Sequence, residues 1–220
     1  MSKLRLLFVK EGSASYISNL DLLRTVQRAF PRTELDIRHS QGFHPHPIIS
    51  IVLPLPVGQS SDCELLDFEV TQETDGAGIA EKLNGGLPEG LTILDCYEAR
   101  RPVRELTYLR ADMELDYDRG VPHGAAQALT ELLRRRELLI EKRTKRKQLA
   151  QVDIAPMIRD ISFTQGENVL RAAVTVQAQN PGLNPQLLEK AIARYLPELT
   201  PDFVRVRRRE LLDADGQVFR

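Results

Sequence analysis

The stretch Ser40-Gln41-Gly42-Phe43-His44-Pro45-His46-Pro47 runs directly into Ile48-Ile49-Ser50-Ile51-Val52-Leu53, and it decides how the first part of the chain is read. Two histidines two apart, each followed by a proline, exclude a helix, because each proline pushes its preceding residue toward extended backbone. The spacing predicts that His44 and His46 share a stiff extended segment, where residues i and i+2 point to one side. Gly42 lets the chain turn sharply just before them. The apolar run over 48–53 predicts a buried strand that pins the loop to the core.

Working outward, residues 4–9 alternate as a strand and 10–15 form a loop. A helix is expected over roughly 20–30, with Ser18 or Asn19 as N-cap and Asp21 suited to the positive N-terminal end. Its apolar stripe is Leu22, Leu23, Val26, Ala29 and Phe30, with Asp21, Arg24, Thr25 and Arg28 on the opposite face. Pro31 ends it, and 35–38 is a short strand. Beyond the organising stretch, 65–70 alternates again, with Leu66, Phe68 and Val70 on one side and Asp67 and Glu69 on the other. Asp75 is set to cap a short helix through Ile79, Ala80 and Leu83, closed by Gly85-Gly86. Residues 91–96 form a further strand. This order is close to the ferredoxin-like arrangement.

Ala99-Arg100-Arg101-Pro102-Val103-Arg104 has the composition of a linker, and after it the order recurs. A strand spans about 105–117, and Pro122 starts a helix with Ala125, Ala126, Leu129, Leu132 and Leu133 as its stripe. A strand over 138–142 leads into a basic loop over 142–151. Residues 161–163 and 169–176 make a hairpin around Gln165-Gly166-Glu167-Asn168. Asn184 caps and Pro185 begins the last helix, and 203–206 is the last strand. The expected fold class is α+β, two tandem ferredoxin-like (split β-α-β) halves packed together. The halves cover residues 1–98, with the His-Pro loop, and 105–220, with the basic loop.

Across 220 residues, 42% are hydrophobic, enough for a real core in each half. Lys+Arg 30 against Asp+Glu 31 gives a formal net charge of -1, so any affinity for nucleic acid must come from local clusters. The two cysteines, Cys63 and Cys96, lie far apart and read as free thiols of a reducing compartment. Met1-Ser2-Lys3-Leu4-Arg5 lacks the apolar run of a signal peptide. No stretch reaches the roughly 18 apolar residues that cross a bilayer. These features predict a cytoplasmic protein with no membrane partner.

Several motifs taken together resemble one known family. They are Tyr16-Ile17-Ser18-Asn19-Leu20-Asp21 with Arg24 and Arg28, the stretch Ser40–Pro47 written out above, Pro54-Leu55-Pro56-Val57-Gly58, and Val152-Asp153-Ile154. The chain is similar in these to the radical-SAM-linked domain family, found alone or at the C-terminus of B12-binding radical SAM proteins. The family usually has His at the position of Asn19, Asn at that of His44 and Arg at that of Ala155, whereas His46 matches. The resemblance implies a radical SAM protein with a B12-binding domain as partner. The cysteines of a radical SAM cluster are absent from this chain, which makes it the companion of the catalyst.

Four chemistries follow from the residues. His44 and His46 form an H-x-H half-site for zinc or iron whose third and fourth ligands would have to come from residues such as His39, Asp21, Asp62 or Cys63, and no metal and no cofactor are assigned. The competing account is a proline-stiffened turn whose histidines make hydrogen bonds. Arg24 and Arg28, close in sequence to Arg38, His39, His44 and His46, suit a phosphate or carboxylate. The competing account there is an ordinary solvated helix face. The expected ligand-binding set is Tyr16, Asp21, Arg24, Arg28, Gln41, Gly42, His44 and His46. Three basic clusters, Arg134-Arg135-Arg136, Lys142 to Lys147 and Arg205 to Arg209, are suited to a nucleic-acid backbone. Of these, Lys142, Arg143, Lys145, Arg146 and Lys147 are the expected nucleic-acid contacts. With 5% aromatic residues and no Trp, stacking of single-stranded bases has few platforms. No phosphate-binding P-loop, dinucleotide fingerprint or nucleophile elbow is present.

The sequence therefore predicts a non-catalytic companion of a radical SAM enzyme that binds or presents a substrate, either RNA or an RNA-associated protein. The alternative is a stand-alone hydrolase or ribonuclease using His46 with Arg24 or Arg28.

Overall fold

Leu4, Leu6 and Phe8 of β1 (Ser2–Lys10) form one fully buried row, the period of two expected of a strand laid on a core. The computed structural model describes residues 2–143 and 149–220, without the side chain of Arg143. The protein is mixed α+β with mostly antiparallel strands and few helices, and it divides into two compact units. One comprises Met1–Glu105 with Val218–Arg220, the other Leu106–Gln217.

In the first unit β1 is followed by α1 (Asn19–Ala29), β2 (Ile49–Ile51), β3 (Ser60–Val70), α2 (Ile79–Asn84) and β4 (Leu91–Glu98). Their strand order is β4-β1-β3-β2, with every neighbour antiparallel. Ser18 caps α1, its hydroxyl accepting the Asp21 N–H at 3.1 Å. Leu22, Val26, Ala29 and Phe30 are buried, and Phe30 meets Phe68 of β3 with ring centroids 4.9 Å apart. A tilted aromatic pair of that kind adds about 0.5–1.5 kcal/mol beyond its buried area. Asp75 does not cap α2. Its carboxylate accepts the Ala77 N–H at 3.0 Å in a local turn, and Gly78 with φ +74 precedes the helix.

The apolar run after the His-Pro loop makes a shorter strand than expected, Ile49–Ile51, and its two isoleucines are only half-buried. Ile49 lies opposite Phe68 and Ile51 opposite Leu66. One face of β2 meets the core while Ser50 points to solvent, so the run is half-covered rather than engulfed.

The second unit runs β5 (Tyr108–Asp116), α3 (Ala125–Leu133), β6 (Leu139–Arg143), β7 (Leu149–Asp153), β8 (Ile158–Gln165), β9 (Val169–Gln177), α4 (Leu188–Tyr195) and β10 (Phe203–Leu212). The order is β10-β5-β9-β8, again antiparallel, with β6 and β7 as a separate pair. α3 buries Ala125, Leu129, Leu132 and Leu133, as its stripe predicts, but it begins three residues after Pro122, behind Gly124 at φ +75. Asn184 does cap, accepting the Gln186 N–H at 3.2 Å, although a single 3-10 turn, Pro185–Leu187, precedes α4.

The ends of the stretch 142–151, expected as a basic loop, are strand: residues 149–151 belong to β7. Lys142 and Arg143 belong to β6 and lie opposite Ala150 and Leu149 of β7. The partners are uncharged, so the ladder places no like charges across from one another. Lys145, Arg146 and Lys147 lie outside the described residues. No helix among the described residues is long and apolar enough to cross a membrane.

Candidate functional site

The chemistry-bearing stretch is a hairpin over residues 38–48. The Ser40 N–H donates to the His46 carbonyl and the Ile48 N–H to the Arg38 carbonyl, both at 2.8 Å, with His39 opposite Pro47. Pro47 thus falls at the position whose missing N–H leaves no ladder bond unmade. The Arg38 N–H donates to the Glu69 carbonyl at 2.8 Å, and Ile37 bridges to Val70, so the base of the hairpin is tied to β3. An ion pair between Arg38 and Glu69 fastens the same place.

At the tip, Gly42 adopts φ +134, a backbone open to glycine and strained for other residues. The chain bends through residues 41–44. His44 therefore lies in the bend, and the straight segment that was to align its imidazole with that of His46 does not reach it. His46 has the specific partner: its Nδ1 and the Ser40 hydroxyl are 2.8 Å apart, and its own N–H donates to the same oxygen at 3.2 Å. If the hydroxyl donates to Nδ1, the Nε2–H of His46 faces outward as a donor. Gln41, Gly42, His44 and His46 are exposed, and Phe43 is fully so at 102%.

The helix face is equally open. Asp21 receives the Ser18 hydroxyl at 2.7 Å and the Arg24 guanidinium at 3.3 Å. The Ser18 hydrogen bond first, then Arg24 and the charge of Arg28, hold the Asp21 carboxyl below the usual carboxylate range. Tyr16 ends a short 3-10 turn, Gly12–Tyr16, and is 71% exposed. The hairpin continues into Ile49 of β2, and Ile49, Ile51 and Leu23 pack against the same core cluster as Leu22 and Val26. The helix and the strand that follows the hairpin thus pack against one core cluster. No group of three or more His, Cys, Asp or Glu that could hold a metal occurs among the described residues.

Of the basic clusters, the one over 205–209 is a strand whose charges are already engaged. Arg205 pairs with Glu114 at 3.0 Å and Asp116 at 2.9 Å, Arg209 with Asp112 at 2.7 Å, and Arg208 is buried. Arg171 adds to Glu114 from β9 at 3.4 Å. The Arg205 hydrogen bond is the main reason the Glu114 carboxyl stays below its usual value. Lys142 is exposed on β6. Sequence reasoning missed two features. The Ser40 hydroxyl, six residues before His46, needs the hairpin register to be seen. Arg159, an isolated arginine in sequence, comes beside Arg134 and Arg135 around a hollow.

Comparison with known proteins gives a family and a distant fold. A family profile described as "Uncharacterized protein conserved in bacteria (DUF2344)" matches residues 3–185. No curated protein matches. Among solved structures, a chain of a Cbf5-Nop10-Gar1 complex is similar over 94% of this chain, with TM-score 0.50 and 11% identity. This chain spans 48% of that one, so the likeness concerns fold alone. A protein from Galdieria sulphuraria, described as unknown, aligns over 94% of this chain with TM-score 0.27 and 12% identity.

Proposed function

This chain belongs to the DUF2344 family of proteins conserved in bacteria, and from that premise we propose that it is a companion of a B12-binding radical SAM enzyme, non-catalytic by itself. It binds the enzyme's substrate, RNA or a protein carrying RNA, in the cytoplasm and presents it to the partner. The supporting observation is the hairpin over 38–48. Its two ends are tied to β3, its tip carries Phe43 at 102% exposure, and His46 is oriented by Ser40. A preorganised polar and aromatic tip loses little entropy when it engages a ligand. Tyr16, Asp21, Arg24, Arg28, Gln41, Gly42, His44 and His46 line the binding face in this reading.

The same reading takes each unit as a ferredoxin-like split β-α-β. Strand order β4-β1-β3-β2 in the first unit and β10-β5-β9-β8 in the second puts corresponding strands in corresponding places. The pair β6 and β7 is then an insertion after the helix of the second unit. It carries Lys142 and Arg143 and flanks the remaining basic residues, which are taken as contacts to the RNA backbone.

One observation favours a second reading. The Ser40 hydroxyl and His46 imidazole, 2.8 Å apart, have the spacing of a nucleophile and its base, as a stand-alone hydrolase would need, with Arg24 or Arg28 on the anion. The two readings separate in one experiment. A radical SAM partner is assayed for S-adenosylmethionine cleavage with RNA present, with and without this chain. Stimulation that depends on the chain supports the companion. RNA hydrolysis by the isolated, metal-free chain, lost in Ser40→Ala, would replace it with the hydrolase.

A further inference from the structure

We propose that the second unit holds a phosphate-binding site formed by Arg134, Arg135 and Arg159, independent of the hairpin and of any radical SAM partner. Arg134 and Arg135 follow the last turn of α3, and Arg159 is the second residue of β8. They line a hollow of about 210 Å³ together with Leu133 and Ile161, both buried. Asp160 also lines it, so three arginines and one carboxylate border the hollow and the balance of charge is positive.

Two of these arginines rest on aromatic faces. The Arg159 guanidinium lies 4.4 Å from the Tyr108 ring centroid, and that of Arg135 lies 5.6 Å from that of Tyr195. A guanidinium held over a ring by cation–π attraction still has N–H donors to offer an oxyanion. Among the described residues, no carboxylate pairs with Arg134, Arg135 or Arg159. Elsewhere on this unit Arg171, Arg205 and Arg209 are engaged by Glu114, Asp116 and Asp112. Cations after a helix C-terminus are favoured by the dipole, which accounts for Arg134 and Arg135 on their own. It does not account for Arg159 arriving from a separate strand to face the same hollow.

The size argues for a group and not a whole cofactor. Sites for drug-sized ligands run from roughly 300 to 1,000 Å³, above this hollow. A tetrahedral phosphate, monoester or diester, fits the charge and the volume.

The test is an NMR titration of the full chain labelled at arginine, with inorganic phosphate added at constant ionic strength. The expected result is that the Nε–H signals of Arg134, Arg135 and Arg159 move together and saturate, while those of Arg171 and Arg205, already engaged by carboxylates, stay in place. Arg134→Ala with Arg159→Ala should weaken phosphate about tenfold or more, the value of one lost charge-assisted hydrogen bond. Arg159→Lys, which keeps the charge but loses the fork, should weaken it less. Equal movement at all arginines, or none at these three, overturns the proposal. Single-stranded RNA with and without a 5′-phosphate then identifies the source. Movement with both RNAs marks backbone diesters, and movement with the phosphorylated strand alone marks a terminal monoester. Movement with neither, while inorganic phosphate still binds, leaves the site standing for a small phosphorylated molecule.

Discussion

Arg5 of β1 and Asp67 of β3 lie directly opposite each other and are joined twice, Nε to Oδ1 at 2.6 Å and Nη2 to Oδ2 at 3.0 Å, with both side chains buried. The pair lies on the sheet face away from Leu4, Leu6 and Phe8. Arg5 also donates to the Arg101 carbonyl at 3.1 Å and lies 5.0 Å from the Phe219 ring centroid. The chain's last residues and the segment after β4 therefore close over a charge that could not be buried alone. Asp67→Ala should cost about 3–5 kcal/mol, because it strands a buried guanidinium. Asp67→Leu combined with Arg5→Met should cost clearly less than the sum of the single changes. Additive losses in urea unfolding would show that the two residues act separately.

Alkaline pH should destabilise the fold through three buried groups. Burial pushes the Cys96 thiol from 9.0 to about 12, and the Tyr97 and Tyr117 hydroxyls from 10.0 to about 12. All three are neutral when protonated and are held protonated by the fold. Their contribution is complete below the unfolded values and is lost as pH rises from about 9 toward 12. For Cys96 the loss is about 1.4 kcal/mol per pH unit across that window. Cys96→Ser removes one of the three titrations. The gap in Tm between it and the parent chain should narrow from pH 8 to pH 10.5, and a constant gap would refute the assignment.

The fold was legible wherever side-chain period and burial agree. Leu22, Val26 and Ala29 on α1, and Leu129, Leu132 and Leu133 on α3, form single apolar stripes at helical spacing and are buried as read. Boundaries went astray where a glycine conformation decided them, as at Gly78 before α2 and Gly124 before α3. The site was legible in outline only. Gly42 and the prolines mark a stiff turn, but the Ser40–His46 contact depends on cross-strand register, which no local pattern encodes. The 205–209 cluster looked like free charge because its partners, Asp112, Glu114 and Asp116, lie about ninety residues earlier on β5.

Salt dependence should report on the basic segment around β6. Lys142 is exposed, and Lys142, Arg143, Lys145, Arg146 and Lys147 are concentrated within six positions of a chain whose formal net charge is -1. Replacing all five by Ser should weaken RNA binding for every sequence alike. It should also flatten the slope of log K against log salt by about 0.7–0.9 for each phosphate that the chain no longer neutralises. Filter binding across a salt series that gives the same slope for both proteins would leave the segment a solvated face with no role in binding.

His46 and Phe43 should separate function from stability more cleanly than any other pair in the chain. Both side chains are exposed, so neither contributes core packing. His46→Ala removes one exposed hydrogen bond to Ser40, worth about 0.5–1.5 kcal/mol at most. The backbone bonds between Ser40 and His46 and between Arg38 and Ile48 remain to hold the hairpin. Phe43→Ser removes an apolar side chain from water and should leave Tm unchanged or slightly raised. On the companion function proposed above, each variant should nonetheless abolish stimulation of a radical SAM enzyme, because the tip, beyond those backbone bonds, is exposed to a ligand. A large fall in Tm for His46→Ala, with stimulation intact, would make that histidine a turn-stabilising residue. The binding face would then have to be sought on α1, among Asp21, Arg24 and Arg28.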